Sequence, residues 1–322
     1  MKKFYVSFLF LISIVSGSTA QTGQVNINRV NMMPNLPAPY EMRDWRDVAR
    51  KYDEFIYDQT KTGTYLPLVG IKNNSVNYPN LQPILMQTYV GGSTNAAEAI
   101  NIIPSIVGAS LVGKDKTNQN GVNWVLKTKD FFNKANQQNI YLNGYSSISG
   151  NDWWYDVMPN VFFYQMYSLY PSDTDFQTQF VTVADRWLDA VYHMGGSSAP
   201  WATPNMDYRG WRLSTMTGNS DSVHEPESAG SIAWLLYSAY MKTGDKKYLD
   251  GAQMCMEFLS NWNANPSYEL QLPYGTLTAA MMNANKEPAT MLIRCSTGHS
   301  TGERCVDGEP SSGSGMAKML RV

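Results

Sequence analysis

The segment His224-Glu225-Pro226-Glu227-Ser228 sets two carboxylates and an imidazole at the mouth of a predicted helix. Pro226 suits a first helical turn, and Glu227 just after it would face the positive helix end. Glu227 is therefore readable as a helix-start acid. It is equally readable as a general acid or base, because glycoside hydrolysis uses two carboxylates flanking the scissile bond. Glu225 or Glu227 would supply one of them, with His224 shifting its protonation. Asp152 and Asp207 are the candidates for the opposing base. Asp152 and Asp156 have i, i+4 spacing and share one helical face if the helix begins that early. Asp152 is also a credible N-cap. Trp153 beside it offers a face for a sugar subsite, with Asp156 as a further polar contact. Trp154 and Tyr155 fit a core equally well.

A third group is Asp207-Tyr208-Arg209-Gly210-Trp211-Arg212, with Trp201 upstream. Trp201, Tyr208 and Trp211 can stack on the apolar face of a sugar, and Arg209 can make charge-assisted hydrogen bonds. The same set would serve a polysaccharide lyase, with Tyr208 or His224 as base and acid. Arg209 or Arg212 would then neutralise a uronate carboxylate. A loop held by an Arg–Asp pair is the bland reading of these residues. His193, at a helix end, reads as a partner of the helix dipole. No Ser/His/Asp motif, phosphate loop, dinucleotide fingerprint or zinc spacing occurs, so the expected site carries neither metal nor cofactor.

The elements that must position these groups are mostly helical by period. Trp45, Val48, Ala49, Tyr52, Phe55 and Ile56 follow i, i+3, i+4, i+7 spacing, with charged residues between them. Residues 96–112 form a second predicted helix, opened by Thr94 or Asn95 and kinked at Pro104. Residues 122–138 form a third. Residues 154–170 and 175–193 make a hairpin around Pro171-Ser172-Asp173. Residues 227–243 and 246–262 make another around Gly244-Asp245, and one more helix starts near Leu277. Long polar loops at 60–92, 141–151 and 194–226 recur after helices, so they would gather at one end of an α/α repeat. That end is the expected site.

The turn Tyr240-Met241-Lys242-Thr243-Gly244-Asp245-Lys246-Lys247-Tyr248-Leu249-Asp250 resembles the hairpin turns of six-hairpin glycosidases, the (α/α)6-toroid superfamily. Gly244 closes one helix, Asp245 caps the next, and Tyr248 with Leu249 drops into the groove between them. Asp152-Trp153-Trp154-Tyr155-Asp156 is similar to loop-to-helix segments lining those toroids. The resemblance spans about 42–283 and implies an all-α toroid of helical hairpins carrying a carbohydrate-active enzyme. It names no single family, so no family's catalytic residues are carried over by position. A complete toroid has twelve helices, and the periodic segments number about eight, so the toroid is expected to be incomplete at its C-terminal side.

Residues 1–20 read as a secretory signal: Lys2 and Lys3, an apolar run of about 12 residues too short to span a bilayer, then Ser18 and Ala20 for cleavage before Gln21. The product would be periplasmic or secreted, without a membrane span. Residues 21–40 read as a polar leader and 41–285 as the toroid domain. Without Lys2 and Lys3 the chain has 23 basic and 27 acidic residues and no basic run, which argues against nucleic acid as a partner. A glycan is the expected partner, and the chain is expected to be a monomer. Among the three cysteines, Cys255 lies in a helical pattern and reads as a buried thiol. Residues 286–322 lose the helical period and hold Cys295 and Cys305. An unpatterned terminus, a recombinant tail and a reading-frame shift each fit. A shifted frame across 289–309 permits an amphipathic, aromatic string, which would leave the gene product short of its closing helices and inactive.

Overall fold

The computed structural model describes residues 43–92, 96–219, 221 and 223–285. The expectations for the signal, the leader, Thr94, Asn95 and the tail from 286 lie outside these residues. The described chain is mostly helical, with a few short strands in three antiparallel hairpins.

Helix α1 (Trp45–Ile56) forms where its period predicts, but its aromatic face is turned outward. Trp45 is 64% exposed, Tyr52 and Phe55 are also exposed, and the residue α1 buries is Asp53. The reason is an ion pair: Asp53 reaches inward to a fully buried Lys116, whose ammonium lies 2.7 Å away. After α1 come β1 (Val69–Ile71) and β2 (Ile84–Met86), then α2 (Ala99–Leu111), which contains Pro104. Helix α2 starts after Glu98, which makes no side-chain cap bond.

The predicted helix over 122–138 is the main correction to the element map. Only α3 (Trp124–Lys127) and a 3-10 turn (Thr128–Phe131) form. Beyond them, the backbone groups that a helix would have paired bond elsewhere. The Asn133 backbone amide donates to the Ile140 carbonyl at 3.0 Å, the Ala135 amide to the Asn77 side chain at 3.0 Å, and the Phe131 carbonyl accepts from the Asn133 side chain at 2.8 Å. Gln137 and Asn139 sit at positive φ, which ends any helical run.

The two predicted hairpins are present. Helices α4 (Trp153–Leu169) and α5 (Thr174–His193) are joined by a turn in which Asp173 accepts from the Phe176 amide at 3.1 Å. Helices α6 (Ser228–Thr243) and α7 (Lys246–Ser260) meet at Gly244, whose φ of 73° is the left-handed conformation that glycine adopts without strain. Asp245 then caps α7 through the Lys247 amide, and Tyr248 and Leu249 are buried as that turn requires. Cys255 is a free thiol buried in α7. Helix α8 (Leu272–Ala284) begins five residues before the expected Leu277, because Pro273 occupies its first turn.

Three further points position the candidate site. Strands β3 (Ser197–Ser198) with β4 (Trp201–Ala202), and β5 (Gly210–Arg212) with β6 (Thr217–Asn219), brace the long loop between α5 and α6. The Trp153 amide donates to the Arg209 carbonyl at 2.9 Å, stitching the start of α4 to that loop. Helices α6 and α8 cross at Gly230 and Gly275, where a Cβ on either would stand 2.9 Å from the other's Cα. This contact brings the segment before α8 against the start of α6.

Candidate functional site

Arg209 is the centre of the site. It projects from the loop just before β5 and pairs with two carboxylates from other segments. One guanidinium nitrogen bonds Asp152 Oδ2 at the start of α4. The other lies 2.7 Å from Glu225 Oε1, just before α6. That second contact is an ion pair too poorly angled for a hydrogen bond, so both buried oxygens of Glu225 lack one. Asp152 fills the cap role expected for it and pairs with Arg209 besides. It caps α4 through the Trp154 amide at 2.8 Å and offers its other oxygen to Arg209.

Glu225 is fully buried, at 0% exposure. Burial, then the charge of Asp152, pushes its carboxyl up to about 8 against the pull of Arg209. Glu227 is also fully buried, and burial pushes it up to about 7. Its Oε1 accepts the backbone amide of Glu269 at 2.9 Å, while Oε2 has no partner. The first helical residue of α6 is Ser228, so Glu227 occupies the cap position without a side-chain cap bond. Its carboxylate instead holds the chain entering α8. Asp156 is buried one turn into α4 and accepts the Gly150 amide at 2.7 Å. Burial raises it well above the ordinary carboxylate range, and Asp152 and Glu225 push the same way. Beside it lies an open cleft of about 370 Å³, lined by Leu142, Asn143, Ser147, Ile148, Asn151, Tyr155 and Asp156.

The expected aromatic contacts divide. Trp153 is fully buried, its indole N–H donating to the Tyr208 carbonyl at 2.6 Å and its ring packed 6.1 Å from that of Trp187. Trp211 is likewise buried, tilted against the half-buried Tyr208. Neither tryptophan presents an open face, because both rings are spent packing the base of the loop. Trp201 is exposed, with its indole N–H on Glu257 of α7 at 2.6 Å. Asp207 turns away from Arg209 to pair with the Nδ1 of an exposed His224 at 2.6 Å. His193, at the end of α5, bonds the Asp189 carbonyl and stands 3.2 Å from its carboxylate.

Three residues that sequence reading passed over join the cluster. Glu269 is half-buried, and its carboxyl is raised by burial and by Asp152 while Arg209 opposes the rise. Tyr268 is exposed and interacts with Arg209. Gln271 is fully buried with both side-chain amide atoms unpartnered. Tyr268-Glu269 repeats the aromatic-beside-acid signal that singled out Asp152-Trp153, so the same rule applied past residue 262 would have found it. The result is a chain of five coupled carboxyl groups in which Asp152, Glu225 and Glu269 interact with Arg209, Asp156 couples to Asp152 and Glu225, and Glu227 couples to Glu225 and Glu269. Among the described residues, no group of three or more His, Cys, Asp or Glu is arranged to hold a metal ion. None of the helices among them is long and apolar enough to cross a membrane.

Comparison with known proteins finds no matching family model, no matching curated protein and no matching solved structure.

Proposed function

We propose that this chain is an exported glycoside hydrolase built on a partial (α/α)6 toroid and acting on a polysaccharide or oligosaccharide outside the cytoplasm. The observation that carries the reading is the convergence of Asp152, Glu225 and Arg209. The start of α4 and the loop between α5 and α6 deliver two carboxyl groups to one cation. Their environments differ sharply: Asp152 is charge-paired and caps a helix, whereas Glu225 is buried and raised to about 8, so it keeps its proton at neutral pH. A protonated acid beside a charge-paired carboxylate is the division of labour that acid/base cleavage of a glycosidic bond uses. Trp201 and Tyr208, with the Asp207–His224 pair, would extend the sugar-binding surface along the same loop.

The lyase alternative needs an arginine free to neutralise a uronate. Arg209 is already held by Asp152 and Glu225, which leaves the exposed Arg212 on β5 as the arginine a lyase would use. The test is incubation of the full chain with neutral and uronate polysaccharides, following reducing ends and near-ultraviolet absorbance. New reducing ends without an unsaturated product support the hydrolase, and Asp152→Asn and Glu225→Gln should each cut the rate about 100-fold or more. An absorbing product would mean a lyase. Full activity in both variants would remove this cluster from the chemistry.

A further inference from the structure

Glu225 and Glu227 are fully buried, so the contacts that hold a ligand away from its reacting bond must come from the rim of the cluster. The rim beside Arg209 is the segment entering α8. Tyr268 is 56% exposed there and interacts with Arg209. The next residue, Glu269, has its amide fixed on Glu227 Oε1 at 2.9 Å, and its half-buried side chain shares a field with Asp152 and Arg209. A half-exposed aromatic ring and a carboxyl group beside it thus border the buried Glu227 and Glu225, and Glu225 has no aligned donor.

We propose that Tyr268 and Glu269 form the ligand-contacting wall of this site, and that the sugar held there carries no carboxylate. The proposal rests on the hydrolase reading above. A tyrosine face suits the apolar face of a pyranose. Ionised carboxylates only accept hydrogen bonds, and an uncharged sugar presents hydroxyl donors to match them. A uronate would instead bring another acceptor-only anion beside Asp152 and Glu269, which already share the one cation Arg209, at a like-charge cost. Glu227 is then a positioning residue, because its carboxylate pins the loop that carries the wall.

Isothermal titration calorimetry tests this with the full chain and three uncharged probes (gluco-, manno- and xylo-oligosaccharides) against oligogalacturonate, with reducing-end release followed in parallel. At least one uncharged probe should bind and oligogalacturonate should not. Tyr268→Ala and Glu269→Gln should each weaken that binding about tenfold or more, with Tyr268→Phe close to wild type because the stacking face survives. Circular dichroism confirms that each variant is folded. Unchanged affinity in both folded variants, binding of oligogalacturonate alone, or no binding of any probe would each overturn the proposal. Binding that depends on Tyr268 and Glu269 without release of reducing ends would leave this wall standing and remove the hydrolase reading. Hydrolysis that ignores both residues would do the reverse.

Discussion

Asp53 and Lys116 lie nearly as deep in the protein as Glu225, yet the charges of that pair cancel where Glu225 sits in an excess of acid. Asp53 Oδ1 meets the Lys116 ammonium at 2.7 Å, and Oδ2 accepts from the Gln119 side-chain amide at 2.7 Å. The ammonium also bonds the Gln119 carbonyl oxygen and stands 3.0 Å from the centre of the Tyr57 ring, a cation–π contact. One acid, one base and an amide that both donates and accepts leave that network balanced. Around Arg209 one guanidinium faces three carboxyl groups, Asp152, Glu225 and Glu269, and the oxygens of Glu225 go without an aligned donor. A buried ion pair that closes on itself fixes structure. A buried cluster that does not close is held in an unfavourable state by the surrounding fold, and such sites are where ligands and protons exchange.

This contrast can be broken by experiment. The largest effect is expected at the balanced pair: Lys116→Ala leaves Asp53 buried without its cation and should cost about 3–5 kcal/mol in urea unfolding at pH 7. A cost below about 1 kcal/mol would show that this network is not a structural clamp. A smaller effect of opposite sign belongs to Glu225. The folded protein holds protons on Glu225 up to about pH 8 and on Glu227 up to about pH 7, whereas the unfolded chain releases them near 4.5. Within that window the folded state binds more protons, so stability is greatest at the acidic end and falls as pH rises towards 8. Glu225→Gln should flatten the fall and raise the melting temperature at pH 8–9 by several degrees, while losing activity. A wild-type melting temperature that climbs between pH 5 and 8 would contradict the assigned direction. The smallest effect is expected at His224→Ala. An exposed pair with Asp207 should be worth well under about 1 kcal/mol, and a larger loss would join that pair to the Arg209 cluster.

The helical hairpins were legible because their signals are local. The Gly244-Asp245 turn and the Asp173 cap are each settled within a few residues, and both form as expected. The candidate acids Asp152, Glu225 and Glu227 were legible as residue types at helix starts, and they do come together. Their division of roles was not legible, because burial and charge partners arrive from other segments, such as Arg209 on Asp152 at 57 residues and Glu269 on Glu227 at 42. Tyr268-Glu269 was legible as an aromatic beside an acid, but its place next to Glu227 depends on the close crossing of Gly230 and Gly275. One other reading failed where side chains overrode period: the Asn133 and Asn77 side chains bond backbone groups of the segment expected as a third long helix, whereas α1 forms as its period predicts and buries Asp53.

By itself, the sequence determined what is written in nearest neighbours: helix periods, caps, the left-handed turn at Gly244 and the pool of acids and aromatics available for chemistry. Only the tertiary structure decided which acids share Arg209, which tryptophans vanish into the core, and which buried charges are left uncompensated. Hydrogen bonds at caps and turns act over a few residues, whereas desolvation and Coulomb interaction depend on everything packed around a group.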